Sequence, residues 1–271
     1  MNRLTKKWAE LNSAGRKALI PYIVAGDPSP AFTVGAMHTL VAQGADILEL
    51  GVPFSDPMAE GPTIALAHER ALEHKIGLRD VLSMVAEFRQ TDDTTPIILM
   101  GYANPVVVLG YANFARLAGE CGVDGLLTVD MPPEEAAAID QELKKFNIDN
   151  IFLLAPTTTL TRAQKICDAA SGYLYYVSLK GVTGAANLDL NEVSSRIEVL
   201  RSMTSLPITV GFGIKDAETA SAISAISDGV VVGSALVERI ADKAAEYDNA
   251  ALANHGAELI AEMRAAIDSN Q

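Results

Sequence analysis

PITVGFGIKDAETASAISAISDGVVVGSALV, residues 207–237, carries the pattern that decides the fold. A short apolar run, PITVG (207–211), leads into a glycine turn, GFGI (211–214). A helical segment, DAETASAIS (216–224), follows, and then a second apolar run, DGVVVG (228–233). Both runs are continuous rather than alternating. Continuous apolar runs of strand length mark strands covered on both faces, as in parallel sheets wrapped by helices. The stretch reads as strand, helix, strand, with Ser234 opening the last helix.

The same unit recurs toward the N-terminus. Further runs are ALIPYIVA (18–25), DILEL (46–50), PIILM (96–100), DGLLTV (124–129), IDNIFLL (148–154) and YLYYVSL (173–179). Helical segments separate them, among them 31–44, 78–90, 111–122, 162–170 and 190–203. Gly44 and Gly122 follow helical runs, where glycine accepts positive φ. Pro133, Glu134 and Glu135 read as the first turn of a helix running to residue 146. Eight strands alternating with helices predict an α/β fold. The simplest count is a single-domain (β/α)8 TIM barrel over residues 1–271, with an extra N-terminal helix capping one end. An open, doubly wound sheet is the competing topology.

Composition narrows the function. The chain has 34 Asp and Glu against 21 Lys and Arg, a net charge of −13. A surface this acidic disfavours nucleic acid and anionic membranes as partners. A small phosphorylated substrate stays open, because backbone N–H groups hold small anions. Neither cysteine, Cys121 or Cys167, sits in a CxxC pair, and the first residues are mixed and charged. A cytoplasmic, reducing setting is the expectation. No apolar run approaches the ~20 residues that span a bilayer.

Barrel chemistry collects at the C-terminal ends of the strands. After the second run comes LELGVPFSDPMAEGPT (48–63). Glu49 lies at the strand's last positions, where an apolar barrel mouth would raise its pKa toward neutrality. It could equally point outward to a helix or a basic partner. The loop beyond it is dense in turn formers and carries Asp56 and Glu60. After the sixth run, GVTGAAN (181–187) reads as a lid or as an inert surface loop. Gly213 and Gly233 end the last two strands, and Ser234 begins a helix. That combination is the usual barrel phosphate site, or simply two tight turns. The four histidines fall in helical patterns without metal-ligand spacing, so metal catalysis is unsupported. Lys180 and Lys215 are poorly placed for a Schiff base, which wants a desolvated lysine.

With PYIVAGDP (21–28), MGYANPV (100–106), YYVSLKGVTGA (175–185) and VVVGSA (230–235), these motifs resemble the tryptophan synthase α chain family, in the same order. The resemblance runs from about residue 16 to the last helix. It implies a lyase that cleaves indole-3-glycerol phosphate by a retro-aldol step. It implies Glu49 as the main acid–base group and Glu60 as the carboxylate facing the indole nitrogen, a position usually held by aspartate. It implies Tyr22, Met100, Leu127, Tyr175, Phe212 and Val231 around the indole. Gly184, Gly213, Gly233 and Ser234 would hold the phosphate. Thr183 would touch the loop carboxylate, and Asp56 would face a β subunit. That partner would carry pyridoxal phosphate and join an α2β2 complex, with no cofactor or metal in this chain. Tyr22, where many relatives carry phenylalanine, adds a hydroxyl near the pocket. Because Glu60 is one methylene longer than aspartate, a weakly active or inactive subunit that mainly activates β is the alternative. A different phosphate-binding barrel enzyme would want a His or Lys at a strand end.

Overall fold

Each of the eight apolar runs contains a parallel strand, and the strands close on one another in chain order. The computed structural model describes residues 2–178 and 190–270. The strands are β1 (Ala18–Val24), β2 (Leu48–Gly51), β3 (Ile97–Gly101), β4 (Gly125–Thr128), β5 (Asp149–Leu154), β6 (Leu174–Val177), β7 (Ile208–Gly211) and β8 (Gly229–Val232). The helices among the described residues are α1 (Arg3–Ser13), α2 (Pro30–Ala42), α3 (Pro62–Glu73), α4 (Leu78–Phe88), α5 (Ala103–Leu109), α6 (Tyr111–Cys121), α7 (Ala137–Lys145), α8 (Leu160–Ala169), α9 (Leu190–Arg201), α10 (Ala217–Ser224), α11 (Ser234–Lys243) and α12 (Asn249–Asp268). β1 pairs with β8 as well as β2, which closes the barrel and excludes the open sheet.

All strands but β1 begin one or two residues inside their runs, and for three of them the reason is physical. Three runs open on aspartate, and each aspartate accepts a backbone N–H from the neighbouring strand. Asp46 takes the Leu19 N–H, Asp124 takes that of Ile97, and Asp228 takes that of Ile208, each at 2.9 Å. These residues cap the ladder at its N-terminal end instead of extending it. The helix expected from Pro133 starts later, at Ala137, after a turn closed by the Glu135 N–H on the Pro132 carbonyl at 3.0 Å. Ser234 opens α11, but α12 follows it, so α11 is not the last helix.

Side chains alternate across each strand and build two cores. Leu19, Leu48, Leu50, Leu99, Leu174 and Val230 face the helices. Ile20, Tyr22, Ile98, Leu127, Tyr175 and Val231 fill the barrel. The N-terminal end is closed by α1, whose Leu4, Trp8 and Leu11 share one face and join the inner core. Trp8 meets the edge of Tyr173, with ring centroids 5.8 Å apart. A Cβ on Gly229, at the start of β8, would lie 3.2 Å from the Trp8 ring.

Candidate active site

Glu49 sits between Leu48 and Leu50, both turned to the helix layer, so the pleat turns it into the barrel. It is 1% exposed. Tyr173, from one layer below, donates its hydroxyl to Glu49 Oε1 at 2.6 Å. Oε2 is buried and has no hydrogen-bond partner among the described residues. Burial drives the carboxyl pKa up to about 7. The Tyr173 hydrogen bond opposes the rise, and the charge of Glu60 adds to it. The group is therefore divided between acid and base near neutral pH, with one oxygen anchored and one unused.

Glu60 is half-buried at the end of the loop after β2. Burial raises its pKa to about 7 as well. Tyr22 and Tyr175 feel both carboxylates, and with burial this holds their hydroxyls well above the ordinary range. After burial, the largest influence on Tyr22 is Glu60, ahead of Glu49. Two carboxyls and two neutral phenols thus form one electrostatic unit at the barrel mouth.

The predicted pocket residues converge there. Tyr22, Met100, Leu127, Tyr175 and Val231 belong to the inner core, and Phe212 packs against it half-buried. The two tyrosines lean onto glycines of the next strand. A Cβ at Gly51 would lie 2.3 Å from the Tyr22 hydroxyl, and one at Gly211 would lie 1.9 Å from that of Tyr175. Gly213 is exposed, Gly233 half-exposed, and Ser234 begins α11. The first-turn N–H groups of a helix lack intrahelical acceptors, so Ser234 and Ala235 present donors to the mouth. Thr183 and Gly184 lie outside the described residues. Among the described residues, no group of three or more His, Cys, Asp or Glu is placed to hold a metal ion.

The loop between Val52 and Gly61 is pinned, not free. Phe54 stacks on Tyr102 at 5.0 Å, and the Ala59 N–H donates to the Tyr102 hydroxyl at 3.0 Å. His68, on α3, accepts the Phe54 N–H on Nδ1 at 3.1 Å. Burial lowers the His68 pKa to about 4, which keeps this acceptor neutral. Asp56 is exposed and takes the Ser55 hydroxyl at 2.6 Å.

Sequence reasoning missed Tyr173, Ser178, Tyr102 and His68. Tyr173 alone left a signal: it is two residues before Tyr175 and so shares its face. Ser178 is the least expected. Its single hydroxyl proton is shared between the Gly211 carbonyl at 2.8 Å and the Phe212 carbonyl at 2.7 Å. Phe212 and Gly213 have φ of 74° and 75°. A phenylalanine is strained there, and the Ser178 bonds brace it. The peptide is planar and trans, so holding the Phe212 carbonyl also aims the Gly213 N–H to the opposite side. Ser178→Ala is therefore expected to raise KM for a phosphorylated substrate about tenfold, with kcat changed little. Steady-state kinetics check this, and an unchanged KM would remove Ser178 from the positioning of that turn.

Comparison with known proteins agrees with the barrel fold. A family profile described as tryptophan synthase alpha chain matches residues 8–268. The tryptophan synthase alpha chain of Thioalkalivibrio sulfidiphilus is 56% identical over 268 residues, covering 99% of this chain and 100% of the relative. That of Methylococcus capsulatus is 57% identical over 270 residues, covering 99% and 100%. The crystal structure of tryptophan synthase subunit alpha from Legionella pneumophila superposes with a TM-score of 0.91 at 46% identity, covering 99% of each chain.

Proposed function

We propose that this chain, which belongs to the tryptophan synthase alpha chain family, uses Glu49 as its proton-transfer group. It is a lyase that cleaves indole-3-glycerol phosphate to indole and glyceraldehyde 3-phosphate. The observation that carries the role of Glu49 is its unpartnered Oε2 beside a pKa of about 7. In the acid form Glu49 delivers a proton to indole C3. The resulting carboxylate takes the proton of the adjacent hydroxyl as the carbon–carbon bond breaks, and the acid is restored. No net proton is consumed. Positive charge grows on the indole nitrogen, and Glu60, ionised, stabilises it. The apolar pocket of Tyr22, Met100, Leu127, Tyr175, Phe212 and Val231 holds the ring. Gly184, Gly213, Gly233 and Ser234 hold the phosphate through backbone N–H groups, and Thr183 meets Glu60 when substrate binds.

The chain requires no cofactor for this step; pyridoxal phosphate belongs to the beta subunit of the family. The family has a beta-subunit partner. We place the docking surface around Asp56 and assign an α2β2 complex in the cytoplasm, with indole passing directly to the partner. Met58, on the loop after β2, is 81% exposed and Val108, on α5, is 82% exposed; Tyr102, just before α5, accepts the Ala59 N–H of that loop. Exposed apolar side chains of this size suit a protein contact. Among the described residues, no helix is long and apolar enough to cross a membrane.

The test is indole release by the purified chain, alone and with a cognate beta subunit. Cleavage that rises on adding the partner is the expected result. No cleavage with the partner present, alongside intact activation of that partner, would leave a regulatory subunit instead. Val108→Asp is expected to lower the partner-stimulated rate about tenfold, since a desolvated charge at a contact costs ≥ 1.4 kcal/mol or so, roughly one decade. The unstimulated rate should not change, and an unchanged stimulated rate would place the docking surface elsewhere.

A further inference from the structure

A cavity of about 500 Å³ lies at the opposite end of the barrel, away from the strand-end site. Lys17, Pro207 and Asp228 line it, and each immediately precedes a strand. Its other wall is the C-terminal half of α1, including Trp8 and Leu11. A cavity of this size accommodates a small organic molecule.

Its lining runs against the charge of the chain. Acidic residues outnumber basic ones 34 to 21 overall, yet this cavity is lined by Arg16, Lys17 and Arg201 with Asp228 as its one carboxylate. Asp228 is already engaged. It accepts the Ile208 N–H at 2.9 Å on one oxygen and Arg201 Nη2 at 2.9 Å on the other. Among the described residues, the Arg16 and Lys17 side chains make no hydrogen bond. Arg16 pairs with Asp46 and Asp268 at 3.7 Å each and Lys17 with Asp228 at 4.0 Å, all longer than a hydrogen bond. Among the described residues, Trp8 Nε1 is buried and has no acceptor. The unused polar capacity is therefore donor capacity, carried by groups that have no acceptor function. The complement to unused cationic donors is an anion. Trp8, Leu11, Leu206 and Pro207 add apolar surface beside them.

We propose that this basal cavity is a binding site for a small aromatic anion, a carboxylate or a phosphate monoester, whose charge meets Arg16, Lys17 and Arg201 and whose ring packs beside Trp8. The site also adjoins the support of the catalytic group. Trp8 packs edge-on to Tyr173, and Tyr173 holds Glu49.

Trp8 is the sole tryptophan, so its emission reads the wall of this cavity without interference from another indole. The full chain is titrated at constant ionic strength with benzoate, with phenyl phosphate and with neutral benzyl alcohol. Trp8 emission and the heat of binding are both followed. The expected result is a saturable response to an anion below about 10 mM, with no matching response to benzyl alcohol. Whichever of benzoate and phenyl phosphate binds tighter identifies the head group. In Lys17→Gln/Arg201→Gln the affinity is expected to fall at least about tenfold. Circular dichroism and indole release check that this variant is folded. Arg16→Gln, at a side chain with no hydrogen bond to lose, is expected to weaken binding in the same direction and serves if the double variant does not fold. No saturation in either readout overturns the proposal. So does an equal response to benzyl alcohol, or a response that survives in the variants, which would assign the anion to the strand-end site.

Discussion

Glu49→Gln is expected to reduce indole release by about 10³- to 10⁴-fold, the upper part of the range for a lost general acid–base group. The same substitution is expected to stabilise the fold. The Glu49 pKa is about 7 in the folded chain against an ordinary value of 4.5. The folded state thus retains a proton that the unfolded chain releases. The stability carried by that proton is complete below about pH 4.5 and is lost as pH rises through about 7. Glutamine is neutral throughout and suffers no such loss. The variant should match the native chain near pH 4.5 and exceed it by up to about 3 kcal/mol above pH 8. Urea unfolding at the two pH values measures the difference. Equal stability at both would mean that the carboxyl is not held near neutrality. Native-like cleavage would remove Glu49 from the chemistry.

Gly211→Ala should produce the largest loss of stability from one added carbon. Its Cβ would stand 1.9 Å from the Tyr175 hydroxyl and 2.4 Å from the ring carbon that bears it. Tyr175 is 4% exposed and enclosed by the inner core, so it cannot swing aside cheaply. Overpacking of this kind costs about 3 kcal/mol. Because Tyr175 lines the pocket, displacement by about 1 Å should also cost on the order of 100-fold in rate. Tyr175→Leu in the same chain is expected to recover most of the stability and little of the activity. Thermal unfolding of the two single variants and the double variant gives the coupling, expected to exceed about 1 kcal/mol. Additive losses would show that the two side chains do not compete for one space.

Where alternation could be read, the fold and the inward-facing side chains could be read. Leu48 and Leu50 turn outward, which fixes Glu49 inward, and the same rule orients Tyr22, Leu127, Tyr175 and Val231. Contacts between distant segments left no such mark. Tyr173 reaches Glu49 across 124 residues, and Ser178 reaches Phe212 across 34. Nothing in the residue Phe212 announces a left-handed backbone, since that conformation is imposed by the turn that follows β7. His68 looked idle on a helical pattern, yet it anchors the loop that delivers Glu60. The helix α12 was also missed. Its Gly256 resembles a breaker, but the missing Cβ lets α12 approach Ile240 of α11, where a side-chain carbon would come within 2.9 Å.

The closure of the barrel by α1 bears on the fate of the product. Indole is uncharged once the ring is freed, and nothing electrostatic would retain it. Among the described residues, Leu4, Trp8 and Leu11 fill the base of the barrel, and Tyr173 packs against Trp8 above them. With the base filled, the mouth at the strand ends is the favoured way out, and departure is vectorial. A leak through the base, created by trimming Trp8, would free indole to solvent even from an intact complex.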